Sequence, residues 1–399
     1  MVRELDPLEF LESVQYEYML KVYGKVIDYD EMYSDEHFLD FLYREYNFRY
    51  ENKEEILKSM QKMRSNHVIS RYENPYYFKY FYQIIYDIHE IKDRFLDCEE
   101  QKAPLFGTVE FDSFAAQIRE PDSAMPPLIL FSSGIIQFAH DITNVLTKSF
   151  PLQYQENISV SFSMETEKAL ETIKNNKWIE RRFSDIVLCM FFYNNVELCD
   201  VSQPENDFLY RGFSNALADS FLTFVVAHEC AHYYLGHLKD TARKEIVSVG
   251  NIKYESINPD WEQEFDADNV GALLAIPVLL NKGMDIQVAL GGIYIALWTL
   301  SIMESLRIGG RKGTTTHPPA KDRLLNVKEK LRNMLDHDLC ILDTYDAVFS
   351  SLWDRFTIIS KKVEEKLLAG RTNALVDYEQ VKNIIYNYSL ENVDDLAGY

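Results

Sequence analysis

Residues 214–238 read SNALADSFLTFVVAHECAHYYLGHL. Ser214 is a helix-capping residue type, and Leu217, Phe221, Phe224, Val225 and His228 follow at three- and four-residue intervals. The stretch therefore predicts a helix that begins at Ser214. His228 and His232 are four apart, which places them on one helix face with Cβ atoms about 5–6 Å apart. Two imidazoles at that separation can converge on one zinc ion through bonds of about 2.0–2.1 Å. Glu229 lies one step round the helix, beside the open side of such a metal, where a base is needed; the pattern is H-E-x-x-H. Core or surface histidines beside a solvated carboxylate satisfy the same pattern, so a third ligand decides. The run LTFVVA favours the buried site, and Cys230 falls where it packs into the apolar side of the helix rather than onto a metal.

The next two stretches bear on that third ligand. Residues 239–261, KDTARKEIVSVGNIKYESINPDW, read as a polar connector with turn signals at Gly250 and Asn258-Pro259. WEQEFDADNVGALLAIPVLL then predicts a helix from the spacing of Val270, Leu273, Leu274 and Val278. Glu264 and Asp268 share one face of it. Glu264 suits a third, oxygen ligand, and Asp268 suits the acceptor for the far ring nitrogen of a ligand histidine. Glu262 and Asp266 crowd the same turns, so a solvated acidic face is the competing reading.

Further on, TTTHPPAKDRLL follows a turn rich in glycine (Gly309, Gly310, Gly313). His317 precedes two prolines and is held extended, and Arg323 falls early in the next helix. Between these regions Ile286–Met303 carries no charge and is near the lower limit of membrane-spanning length, roughly 17–25 residues. Glu264 and His317 flank it, and a helix crossing the bilayer would send its ends to opposite sides. The expectation is a buried helix with return loops.

Upstream, GTVEFDSFAAQI and LILFSSGIIQF predict two paired strands around a turn at REPDSAMPP, with the second strand entering a helix. ISVSFSM reads as a strand, and residues 165–193 as one long helix or two. The first hundred residues predict four helices rich in Tyr and Phe, over 6–23, 35–46, 53–63 and 74–95. His37, His67 and His89 are scattered among them and receive no chemistry. The C-terminal part is amphipathic helix with turns near His337 and Gly370.

The chain has 399 residues and a net charge of −22. That charge argues against nucleic acid and against anionic membranes as partners. Five cysteines, odd in number and without metal-type pairing, fit reduced thiols in a cytoplasmic protein. The opening residues lack the basic-then-apolar order of a secretory signal.

Taken as a set, HECAH, EFDAD and THPPAKDR resemble the gluzincin metallopeptidases of the CAAX-prenyl-protease, HtpX and Oma type. That family combines H-E-x-x-H, E-x-x-x-D and an HP-containing loop with a nearby Arg. FDSFAAQI and LILFSSGII are similar to its edge strand and the strand that follows, and His237 recurs in one of its branches. The resemblance covers about residues 106–327. It implies His228, His232 and Glu264 as ligands of Zn2+, Glu229 as general base and Asp268 as the partner behind the first histidine. It also implies that His317 and Arg323 stand near the open metal position. On the mechanism such a site would use, His317 or a nearby Tyr such as Tyr233 is the candidate for stabilising the oxyanion. Two departures stand out: the family's usual membrane helices are missing, and Asp112 replaces the Asn of the edge strand. The metzincin pattern does not fit, because Gly236 and His237 are each misplaced by one residue.

The expected fold is α+β and mostly helical. A zincin-like core with a small antiparallel edge sheet spans 103–335, with an insertion at about 151–213, between helical regions 1–102 and 336–399. The expected function is zinc-dependent endopeptidase acting on a polypeptide. Two alternatives stay open on the residues alone. One is a silent zinc-binding interaction protein in which His237 or His317 closes the fourth position; the other is a helical scaffold without metal.

Overall fold

The computed structural model describes residues 7–28, 58, 69–96, 104–109, 116–119, 127–154, 160–193, 208–239, 244–249, 252–257, 260–306, 318–334 and 340–369. The helices expected over 35–46 and 53–63 (apart from helical Lys58), His37, His67, Asp112, His317 and His337 lie outside them. The chain is mostly helical, and it divides into two compact units. One is formed by Met1–Ile135 with Val226–Leu274, the other by Ile136–Val225 with Ala275–Tyr399.

The first unit is built on a three-stranded sheet: β1 (Leu105–Val109), β2 (Ala116–Arg119) and β3 (Leu128–Ser132), in the order β1-β3-β2. β1 runs parallel to β3, with Gly107 opposite Leu130, and β2 runs antiparallel to it, with Ile118 opposite Ile129. This corrects the expected antiparallel edge sheet, and it splits GTVEFDSFAAQI into two strands. The chain reverses between β1 and β2, and the two end on opposite sides of β3. One flank must then run with β3 and the other against it.

Every residue of β3 is buried, because helices cover both faces of the sheet. Helix α1 (Pro7–Tyr23) places Phe10, Leu11 and Val14 against Val109, Leu128 and Leu130. Helix α2 (Pro75–Ile91) stacks Phe78 on Phe106 and Phe81 on Phe131, the latter at 4.2 Å between ring centroids. Alternate side chains of a strand point to opposite faces, so a sheet covered twice needs the unbroken apolar run LILF.

A buried polar knot ties these layers together. Gln15 Nε2 donates to Glu73 Oε2 at 2.6 Å and to the Thr108 carbonyl at 2.8 Å. Thr108 donates to the same carboxylate from its backbone N–H and its hydroxyl, and Ser70 donates to Gln15 Oε1.

In the second unit, the expected strand in ISVSFSM is realised as a short hairpin of β4 (Leu152–Tyr154) and β5 (Val160–Phe162). Residues 165–193 form two helices, α4 (Thr166–Asn175) and α5 (Lys177–Tyr193), broken at Asn176 with φ −116° and ψ 90°. After α3 (Ser133–Thr147) and α6 (Phe208–Tyr234), the chain makes the antiparallel pair β6 (Lys244–Val249) and β7 (Ile252–Ile257) in the first unit. Residues 239–261 are therefore not simply a polar connector. The Gly-Asn step between KEIVSV and IKYESI is a hairpin signal flanked by β-branched residues, and pairing the two strands satisfies their backbone groups.

Helix α7 (Trp261–Asn281) follows, then α8 (Ile286–Leu306), α9 (Ala320–Met334) and α10 (Cys340–Ala369). Helix α8 contains the uncharged stretch Ile286–Met303, which is near the lower limit of membrane-spanning length; Leu290, Ile293, Tyr294 and Leu297 on it are buried. Among the described residues no helix is long and apolar enough to cross a membrane. Asp346 of α10 accepts hydrogen bonds from Tyr294 and Trp298 of α8 at 2.7 and 2.9 Å, and pairs with Lys328 of α9. The three helices are locked together by that one carboxylate.

Candidate active site

Helix α6 starts at Phe208, six residues before the expected cap. Ser214 is buried inside it, with its hydroxyl 3.3 Å from that of Thr143, so it supports packing rather than the helix end. Phe213 extends the buried face back beyond Ser214. The far end of α6, with HECAH, belongs to the sheet-bearing unit.

Helix α7 is started by a reciprocal cap. Asp260 Oδ1 accepts from the Gln263 N–H at 2.8 Å, and Gln263 Oε1 accepts from the Asp260 N–H at 3.0 Å. This is the capping-box arrangement, and D-x-x-Q signals it in the sequence. It sets the phase of the helix immediately before Glu264. Glu262 and Asp266 are exposed, whereas Glu264 and Asp268 are 2% and 0% exposed. The acids therefore do not form one solvated face; they separate into two faces by helical phase.

Gly271, three residues past Asp268, is where the two helices touch. A Cβ at this position would lie 3.0 Å from the backbone N and Cα of His228. Only a residue without a side chain lets α7 approach α6 so closely there. The acids one and two turns earlier on α7 are thereby brought to the level of the two histidines. His228 Nε2 and His232 Nε2 lie 3.2 Å apart. Glu264 places Oε2 3.8 Å from His228 Nε2 and Oε1 3.5 Å from His232 Nε2.

These three side chains form a group able to hold a metal ion, with ligand atoms all within 4.8 Å of one another. Bonds of about 2.0–2.1 Å around a tetrahedral ion give ligand-to-ligand edges of about 3.3–3.4 Å, which the three distances bracket. Two neutral imidazoles and a carboxylate are also the donor types a borderline divalent ion takes. A cation there offsets the desolvation cost of a buried carboxylate, otherwise several kcal/mol.

Each histidine has a polar neighbour at its other nitrogen. His228 Nδ1 lies 3.0 Å from Asp268 Oδ1. His232 Nδ1 lies 2.9 Å from Nδ1 of His237. Gly236, with φ 75°, ends α6 in the left-handed region and turns His237 back toward it. Burial lowers the His237 pKa, against the raising effect of Asp266.

Glu229 is 8% exposed and adjoins His228 in the helix. Cys230 is fully buried, as expected, and burial raises its thiol pKa far above the ordinary range. Tyr233 packs its ring beside that of Tyr234. Arg323 is buried on α9, in the second unit. His89 hydrogen-bonds Tyr234 at 3.1 Å through Nδ1 and so links α2 to the end of α6. His237, Gly271, the Asp260–Gln263 cap and His89 are the parts that residue patterns did not single out for these roles. D-x-x-Q and the Gly inside a helical run were available as signals.

Residues 195–341 match a family model described as Peptidase U49, little more than a third of the chain. No curated protein and no solved structure matches. The matched span contains HECAH, Glu264, Asp268 and His237. It supports a peptidase, and with it a polypeptide substrate.

Proposed function

We propose that the chain is a zinc-dependent endopeptidase with a zincin-like core, in which His228, His232 and Glu264 hold the metal. The observation that carries this is the meeting of the two Nε2 atoms and the Glu264 carboxylate at edges of 3.2, 3.5 and 3.8 Å. Zinc, when bound, lowers the pKa of a coordinated water from 15.7 to about 7 and polarises the scissile carbonyl. Every other task falls to the protein. His228 and His232 present Nε2 lone pairs, and Asp268 holds the N–H of His228 on Nδ1. Glu229 takes the proton of the attacking water and returns it to the leaving amine. His317 and Arg323 are assigned the developing oxyanion or the control of access to it.

The reading is tested by metal analysis of purified protein together with cleavage of a denatured protein mixture. Wild type should carry about one zinc per chain and cut in a chelator-sensitive way. Glu229→Gln should keep the zinc and lose cleavage by at least ~100-fold, the lower end of general-base contributions. Equal cleavage by that variant ends the assignment of the base. Glu264→Ala should purify with less zinc, and full occupancy would remove Glu264 from the ligand set.

A further inference from the structure

The distances around His232 carry one more role. Its Nε2 faces the point where the three donors meet, at 3.2 Å from His228 Nε2 and 3.5 Å from Glu264. A neutral imidazole has one lone pair and one N–H. If Nε2 supplies its lone pair there, the proton sits on Nδ1 and needs an acceptor. A group in reach is Nδ1 of His237, at 2.9 Å, with both rings buried. The rings lie at 68° with centroids 5.1 Å apart, a hydrogen-bonding rather than a stacking arrangement.

From this we infer that His237 is a positioning residue for the metal site. It accepts the Nδ1–H of His232, fixes that ring's tautomer and orientation, and carries its own proton on Nε2. The inference rests on the zinc-site reading above and extends it to a residue outside the ligand set. It also gives the left-handed Gly236 a purpose, since the turn brings Nδ1 of His237 to that of His232. Outer partners of ligand histidines typically contribute 10–100-fold to metal affinity.

The experiment measures Zn2+ affinity by competition with a chromogenic chelator, and the visible spectrum of the Co2+-loaded protein. Wild type is compared with His237→Ala, His237→Phe and His237→Asn. Asn offers an amide oxygen near the position of Nδ1; Phe keeps the ring volume without an acceptor. Ala and Phe should each weaken Zn2+ binding by about 10-fold or more and alter the Co2+ ligand-field bands, while Asn should restore binding to within about threefold. Thermal unfolding of the metal-free proteins shows which variants fold, and if Ala does not, the Phe and Asn pair carries the comparison. The inference is overturned if Phe binds as tightly as Asn, or if all variants match wild type while wild type takes up one metal. Failure of wild type to bind Zn2+ at all instead sinks the underlying zinc-site reading.

Discussion

The two histidines of HECAH sit one helical turn apart, yet they are held from behind in opposite ways. His228 meets a carboxylate, Asp268, delivered by a second helix. His232 meets another imidazole, His237, delivered by the turn that ends its own helix. The first support depends on tertiary packing and carries charge; the second is local and neutral. One histidine can therefore be disturbed by moving a helix and the other by changing a turn.

The largest effect should come from the helix crossing. Gly271→Val sets side-chain atoms against the His228 backbone, and overpacking of this kind costs about 1–3 kcal/mol. The loss should appear as a lower urea midpoint together with loss of bound metal. Metal binding that survives intact would mean Asp268 reaches His228 without that close approach.

Next in size is the charge itself. Asp268→Ala should weaken Zn2+ binding by about 100-fold in a chelator competition, the upper end for such partners. Asp268→Asn, which keeps an acceptor oxygen, should lose clearly less. If Asn and Ala lose equally, the negative charge is what matters behind His228, and the contrast with the neutral His237 becomes sharper.

The smallest effect should be at the turn. Gly236→Ala forces a side chain into the left-handed region, which costs about 1–2 kcal/mol. A drop of about 1–2 °C in melting temperature is expected, with Zn2+ affinity falling less than in the His237 variants. No change in affinity would separate the turn geometry from the support of His232.

Much of this arrangement could be read from residue spacing. H-E-x-x-H and the Glu264–Asp268 pair are helical intervals, and a period of 3.6 carries over from sequence to structure. The parallel pairing of β1 with β3 could not be read that way, because strand direction depends on where the chain returns. Ser214 misled for a similar reason: a hydroxyl that suits a cap also suits a partner inside a packed helix, and Thr143 supplies one. His237 was legible as a residue but not in its role, which depends on the angle of the turn at Gly236.

The knot around Glu73 has a consequence for anyone trimming this protein to a smaller working piece. Its donors come from either side of it in the chain, Gln15 far upstream and Thr108 downstream, and the second sits on the sheet's own edge. A recombinant fragment limited to residues 195–341 would discard the sheet, both covering helices and the His89 brace on Tyr234. The recognisable stretch is therefore not a portable module, and a shorter version meant to keep the sheet behind its histidines has to include α1 from Pro7 onward.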